Sequence, residues 1–315
     1  MAEITINNEI LASVRDKVVV VTGGANGIGA ATVISYFHAG AHIFFGDWDE
    51  KSGVALEVSL ATGSNPNGGS ATFLRLDVRD YENQLKLFDT AVAKHGRVDQ
   101  AVYSAGIAEP ADWLSPEKFT LEGIKEVPKP LVDLIEINLI GSLYFTRIAL
   151  AYFQQNSTHQ DAVSKSITLV ASAAGFKESS GLVAYSGSKH GMVGMVRSLR
   201  ILTLPKFNVR INAICPWATD TAMVAGAVHL WHQNSLPLNS AEDIARIIQQ
   251  VAADPAHNGK VVYCAGGIFV DIDEGINRTE PQWLGEKLAA DLNRGQVMLG
   301  AGADWSTLGN TEQGI

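Results

Sequence analysis

The sequence predicts an α/β fold: a doubly wound, seven-stranded parallel sheet with helices on both faces. Three observations predict it. Short β-branched runs recur that are apolar throughout, as strands covered on both faces are. Stretches with helical spacing of apolar positions separate them. The first run also ends in a glycine cluster that opens a helix, TGGANGIG at 22–29.

The first strand is KVVVVTGG (17–24), and GIGAATVISYFHAG (27–40) is a helix closing on Gly40, a suitable C-cap. AHIFFGD (41–47) is the second strand; a second helical stretch follows, then the strand ATFLRLD (71–77). ENQLKLFDTAVAKHG (82–96) reads as an amphipathic helix, and VDQAVYSAG (98–106) as a strand running into glycine. LVDLIEINLIGSLYFTRIALAYFQQ (131–155) is a long helix and SITLVAS (166–172) a strand. AYSGSKHG (184–191) begins a helix that runs to about Leu204, and NVRINAI (208–214) and KVVYC (260–264) are the last two strands. That alternation makes the sheet Rossmann-type.

Three segments fall outside the rhythm. GSNPNGG (63–69) is a turn-rich surface loop, and 108–130 is a long connection with prolines at 116, 128 and 130. The third, 268–315, lies beyond the last strand and reads as an ordered tail packed on the domain. The expected organisation is one domain over 1–270, with a lid at about 217–240, and a C-terminal extension over 271–315.

Of the 315 residues, 46% are apolar and 18% charged, ordinary for a globular protein with a sizeable core. The net charge of −9, with no basic blocks, argues against nucleic-acid binding. No apolar run approaches the roughly 20 residues of a membrane span. MAEITINNEILASV lacks the features of a secretory signal, so a cytoplasmic protein is expected. Cys215 and Cys264 read as buried small hydrophobes, and the eight histidines show no metal-binding spacing, so no catalytic metal is expected.

The glycines at 23, 27 and 29 let backbone approach a pyrophosphate, and the following helix directs its N-terminal N–H groups at the anion. Asp47 stands 18 residues after Gly29 at the end of strand two, where a carboxylate accepts hydrogen bonds from both adenosine ribose hydroxyls. The same carboxylate repels a 2′-phosphate, and Trp48, not a basic residue, follows it. NAD is therefore expected over NADP. Tyr185 and Lys189 are four apart and share a helix face. A phenol is too weakly acidic to serve as a base at neutral pH. A neighbouring ammonium and the positive nicotinamide ring should bring its pKa down. Taken singly, such a pair, a strand-end Ser172 and a helix Asn138 are each ordinary. Their order behind a dinucleotide loop is what makes them catalytic candidates.

Thr-Gly-x-x-x-Gly-x-Gly resembles the short-chain dehydrogenase/reductase family, and the resemblance extends over roughly 14–270. It implies cofactor contacts from Thr22, Gly23, Asn26, Gly27, Ile28 and Gly29 of the loop, and from Asp47 and Trp48. LDV (76–78) matches the adenine-contacting segment, implying Asp77 and Val78. YSAG stands where the family usually has Asn-Asn-Ala-Gly, implying Ser104, Ala105 and Gly106. Asn138, Ser172, Tyr185 and Lys189 match the catalytic tetrad. The resemblance gives Tyr185 the proton transfer and Lys189 the nicotinamide ribose. Ser172 orients the substrate oxygen, and Asn138 holds a water leading from Lys189 to solvent. Pro216, Thr219 and Thr221 match the strand end that closes the cofactor site. Trp217 replaces the usual glycine, and with Trp231 of the lid it is a substrate-binding candidate; packing alone is the other reading for Trp217.

DWDEKSG (47–53), YSGSKHG (185–191) and RINAICP (210–216) are most similar to NAD-dependent hydroxyprostaglandin dehydrogenases and their fungal and animal relatives. That implies NAD-dependent interconversion of a hydrophobic secondary alcohol and its ketone, by a homodimer or homotetramer. Two alternatives stand beside it: a biosynthetic ketone reductase using NADPH or NADH, and a non-redox cyclase, isomerase or nucleotide-binding scaffold on the same fold.

Overall fold

The structure, a computed structural model, describes residues 3–110, 116–155 and 165–299. A short helix α1 (Asn8–Ala12) precedes β1 (Val18–Thr22), α2 (Gly27–His38), β2 (His42–Asp47) and α3 (Glu50–Thr62). Then come β3 (Ser70–Arg75), α4 (Tyr81–His95), β4 (Gln100–Tyr103), α5 (Lys129–Ile135) and α6 (Gly141–Gln155). The second half runs β5 (Lys165–Val170), α7 (Val183–Phe207), β6 (Val209–Pro216), α8 (Val228–Gln233) and α9 (Ala241–Ala253). It closes with β7 (Val261–Ala265), β8 (Ile268–Asp271), α10 (Ile272–Leu284) and α11 (Glu286–Leu299).

The strands form one sheet in the order β3-β2-β1-β4-β5-β6-β7-β8. The doubly wound parallel sheet holds from β3 through β7, with one strand more than the seven expected. β8 returns antiparallel to β7, pairing Ala265 with Ile268 and Val262 with Asp271. The cause is local: Gly266 and Gly267 have φ of +57° and +79°, the two positive values a tight hairpin requires. One face of the sheet buries Phe88, Phe145, Phe153 and Met192 under α4, α6 and α7. The other buries Tyr36, Phe37, Ile244 and Ile248 under α2 and α9.

Helix starts follow their capping chemistry. The Asp80 carboxylate accepts from the Glu82 and Asn83 N–H groups, and Ser240 with Asp243 forms the capping box that starts α9. The stretch 129–155 is, among the described residues, long and apolar enough to cross a membrane, with mean hydropathy 1.4. The sequence reading, based on unbroken apolar runs, found no such segment. Phe145, Ile148, Ala149 and Phe153 of this stretch pack into the sheet's core, so the fold accounts for their apolarity. Of the connection 108–130, residues 111–115 lie outside the described residues, as do 300–315 of the expected extension. The described part of that extension is α10 and α11. Asp273 at the start of α10, almost fully buried, pairs with Arg197 at 2.7 Å and Arg200 at 2.6 Å on α7.

Candidate active site

In this strand order the chain switches direction between β1 and β4, and the crevice beyond their carboxyl ends is where such sheets bind ligands. The glycine loop follows β1 and YSAG follows β4, so both walls of the crevice are the motifs read from sequence. Their approach is close: a Cβ on Gly23 would lie 2.5 Å from the Ala105 nitrogen, and one on Gly29 only 1.8 Å from the Gly23 oxygen. A Cβ on Gly27 would meet Thr221 Cγ2 at 3.3 Å, which brings the loop against the segment after β6. Asn26 precedes α2, but its amide donates instead to Asp49 at 3.1 Å. Asp47 closes β2 at 8% exposure, accepting from the Ala25 N–H at 3.0 Å and the Asp49 N–H at 3.0 Å. Its carboxylate is thereby fixed beside the loop. Trp48 next to it is 78% exposed and leaves that side open.

Asp77 follows β3 and is paired within the chain. Its carboxylate is clasped by Arg79, at 2.7 Å to the terminal nitrogen and 3.0 Å to Nε, which holds it below the usual carboxylate range. The Val78 carbonyl accepts from Gln84 Nε2 at 2.6 Å.

The four catalytic candidates converge. Tyr185 lies in the first turn of α7 and Lys189 one turn on, its Nζ 5.6 Å from the Tyr185 ring centre. Ser172, just past β5, lies beside the phenol and accepts from the Ala174 N–H at 3.2 Å. Lys189 is buried and its ammonium donates to the Val170 carbonyl at 2.9 Å. Burial lowers its pKa from the ordinary 10.5 to about 8. The expected lowering of the Tyr185 pKa does not arise from the protein alone. Burial raises it, and the neighbouring Ser172 side chain offsets only part of that. The Lys189 ammonium donates to a backbone carbonyl and lies against the aromatic ring. Beneath both lies Cys215, a buried thiol pushed up to about 12 and so inert at neutral pH.

Asn138 is fully buried in one turn of π-helix, Glu136–Ile140, between α5 and α6. Its amide is committed to protein: Oδ1 accepts from the Ile107 N–H at 2.9 Å, and Nδ2 donates to the Ile107 carbonyl at 3.0 Å and Ser188 Oγ at 3.2 Å. Gly106 closes the group, since a Cβ there would stand 3.3 Å from Asn138 Oδ1 and 3.5 Å from Lys189 Nζ.

Pro216 ends β6, and the Trp217 N–H donates to the Cys264 carbonyl at 2.9 Å. The Trp217 ring packs edge-on against Trp231 of α8 at 5.4 Å. Thr219 is buried, and the Thr221 hydroxyl donates to the Thr219 carbonyl at 3.3 Å. Two residues here escaped the sequence reading. Asn239 bridges the lid base, its amide donating to the carbonyls of Ala218 at 3.1 Å and Cys264 at 3.0 Å. Glu109, on the connection after β4, accepts from the Ala184 N–H at 3.2 Å and the Tyr185 N–H at 2.6 Å. Leu182 makes no side-chain cap for α7, so Glu109 caps the catalytic helix from another part of the chain. A capping signal is sought next to its helix, which is why this one was missed. Among the described residues no cluster of His, Cys, Asp or Glu is placed to hold a metal.

A strand–glycine loop–helix cradle with no room for a Cβ at Gly23 or Gly29, an ordered carboxylate beside it, and a Ser–Tyr–Lys group in the same crevice define a dinucleotide-dependent oxidoreductase site. Comparison with known proteins agrees. The family model described as short chain dehydrogenase matches residues 17–229. Over 308 residues the chain is 31% identical to the short-chain dehydrogenase/reductase prx4 of Penicillium rubens, an alignment covering 90% of this chain and 85% of that one. It is 28% identical over 299 residues to the 5′-hydroxyaverantin dehydrogenase of Dothistroma septosporum, covering 91% and 95%. A solved short-chain type dehydrogenase/reductase from Mycobacterium ulcerans shares the fold with a TM-score of 0.68 at 20% identity, covering 88% of this chain and 98% of that one. The chain belongs to the short-chain dehydrogenase/reductase family. It is an oxidoreductase acting on alcohol and ketone groups with a nicotinamide dinucleotide, and the glycine cradle and Asp47 fit that cofactor.

Proposed function

We propose that this enzyme interconverts a hydrophobic secondary alcohol and its ketone with NAD in preference to NADP. The observation that carries the reading is the Lys189 ammonium 5.6 Å from the Tyr185 ring centre, with Ser172 beside the same phenol. When bound, the oxidised nicotinamide supplies a hydride acceptor and a positive charge. Tyr185 accepts the proton of the substrate hydroxyl and returns it in the reverse direction. Ser172 donates to the substrate oxygen and orients it. Lys189 stabilises the phenolate and anchors the nicotinamide ribose. Because burial favours the neutral Tyr185 phenol, the positive charge of bound oxidised nicotinamide would add to that of Lys189 in favouring its ionisation, which couples proton transfer to cofactor binding.

The Asp47 carboxylate, fixed by two backbone N–H groups, supports selection of a free ribose over a phosphorylated one. Trp217 and Trp231 supply an apolar wall for the substrate. The relative named as a 5′-hydroxyaverantin dehydrogenase supports a hydroxylated substrate, and Leu143 and Ile201, exposed on α6 and α7, support assembly as a homodimer or homotetramer.

The test is a panel of hydrophobic secondary alcohols and ketones, followed by NADH and NADPH absorbance. Tyr185→Phe should lower kcat by about a thousandfold while leaving NAD affinity, read by fluorescence titration, unchanged. Substantial residual turnover would sink the acid/base role.

A further inference from the structure

Tyr103, the last residue of β4, stands at the first position of YSAG, where an asparagine is usual in the family. It is fully buried, and its hydroxyl donates to the Ile137 carbonyl. That carbonyl sits within the π-turn. The Gly141 N–H, which an α-helix would give to Ile137, goes instead to the Glu136 carbonyl one residue further back. Ile137 therefore loses its usual donor inside the protein, where an unmade hydrogen bond is costly, and the phenol supplies one. The fit is tight: a Cβ on Gly141 would lie 2.4 Å from the Tyr103 oxygen. Gln84 ties the same corner, its Nε2 donating to the Val78 carbonyl at 2.6 Å and the Gly141 carbonyl at 3.0 Å.

The residue after Ile137 is Asn138. Its amide grips Ile107, four positions beyond Tyr103, at 2.9 and 3.0 Å, and donates to Ser188 Oγ at 3.2 Å. Ser188 Oγ in turn donates to the Tyr185 carbonyl at 2.7 Å. A continuous set of hydrogen bonds thus leads from the end of β4, across the π-turn, to the backbone of the residue proposed as acid/base. We infer that the Tyr103 hydroxyl is a positioning group for the active site: it holds the π-turn open, and thereby places Asn138 and, through Ser188, the first turn of α7. The inference rests on the proposed roles of Asn138 and Tyr185. Burial keeps the phenol neutral, so it remains a donor throughout the range in which the enzyme would work. The ring also packs on Phe145 at 5.4 Å, a contact that Tyr103→Phe preserves.

Tyr103→Phe removes only the hydroxyl. Turnover should fall by about tenfold to a hundredfold with NAD affinity unchanged, and Tyr103→Phe/Asn138→Ala should be no slower than Asn138→Ala alone, since both act through one turn. Gly141→Ala, which displaces the hydroxyl from the helix side and leaves the Tyr103 ring intact, should reproduce the loss if Tyr103→Phe does not fold. A second readout needs no turnover: amide hydrogen exchange of Ile107, whose N–H bonds Asn138, should accelerate in Tyr103→Phe. Wild-type turnover retained in a folded Tyr103→Phe, full additivity in the double variant, or unchanged Ile107 exchange would each overturn the inference. An inactive wild type with accelerated Ile107 exchange in the variant would leave the positioning role standing and count against the proposed reaction.

Discussion

Lys189→Met tests whether the catalytic ammonium is held at the expense of stability. The thioether side chain keeps most of the volume and removes the charge. Burial lowers Lys189 from 10.5 to about 8, so below about pH 8 the ammonium persists in both folded and unfolded chains and adds no pH dependence. Between about pH 8 and 10.5 the unfolded chain keeps a proton that the folded one has released, so wild-type stability rises with pH through this window. At about 1.4 kcal/mol per pH unit, the whole window is worth about 3 kcal/mol. Cys215, pushed up to about 12, titrates in the opposite sense, losing stability above pH 9, but it is present in both proteins. The stability of wild type minus Lys189→Met should therefore grow by about 2 kcal/mol between pH 7 and about 9.5. Urea unfolding of both proteins at each pH measures it. A difference that stays flat would refute the claim that Lys189 is charged and desolvated in the folded protein. The variant should also lose most of its turnover at every pH.

Asp47→Ala should weaken NAD about thirtyfold, the worth of about 2 kcal/mol for a charge-assisted hydrogen bond, and NADP far less; isothermal titration with both cofactors decides, and tighter NADP binding by wild type would remove the premise. Glu109→Ala should cost about 1 kcal/mol of stability, as loss of an N-terminal cap does, and lower kcat, with Glu109→Gln recovering part of both. Asp273→Asn leaves Arg197 and Arg200 without their carboxylate. Both arginines are about a third exposed, so the loss should be about 2 kcal/mol, less than for a fully buried pair; thermal unfolding without a shift would count against the clamp.

What was legible in the sequence was local. Gly23, Gly27 and Gly29 between a strand and a helix, and Tyr185 with Lys189 at one helical turn, carry their chemistry in their spacing. Asp47, Asn138 and Ser172 were found because they stand at fixed places relative to those motifs. What was not legible depends on contacts distant in sequence. Glu109 caps a helix 76 positions away from it, and no pattern in 108–130 marks that carboxylate. Asp77 was assigned by position, and the pairing of both its oxygens with Arg79 two residues on was not read from the sequence. The burial that opposes Tyr185 ionisation was not legible for a related reason: spacing puts an ammonium near the ring, whereas only the folded chain shows how far the phenol is desolvated. The eighth strand was the nearest miss, because the adjacent Gly266 and Gly267 are a hairpin signal of their own.

That added strand matters to how the chain assembles. Its outer edge pairs with residues near the other end of the sequence: the Ile4 N–H donates to the Phe269 carbonyl at 2.8 Å, and Glu3 bridges Val270. An open strand edge is a template for joining a second molecule, and this one is occupied by the chain's own early residues. During synthesis, residues 3 and 4 emerge long before their partner strand exists, and closing so wide a loop is an entropically slow, late event. A nascent or truncated chain lacking β8 would expose the rim of β7, so shortening the protein from its C-terminal side past Ile268 should convert a folding problem into an aggregation problem.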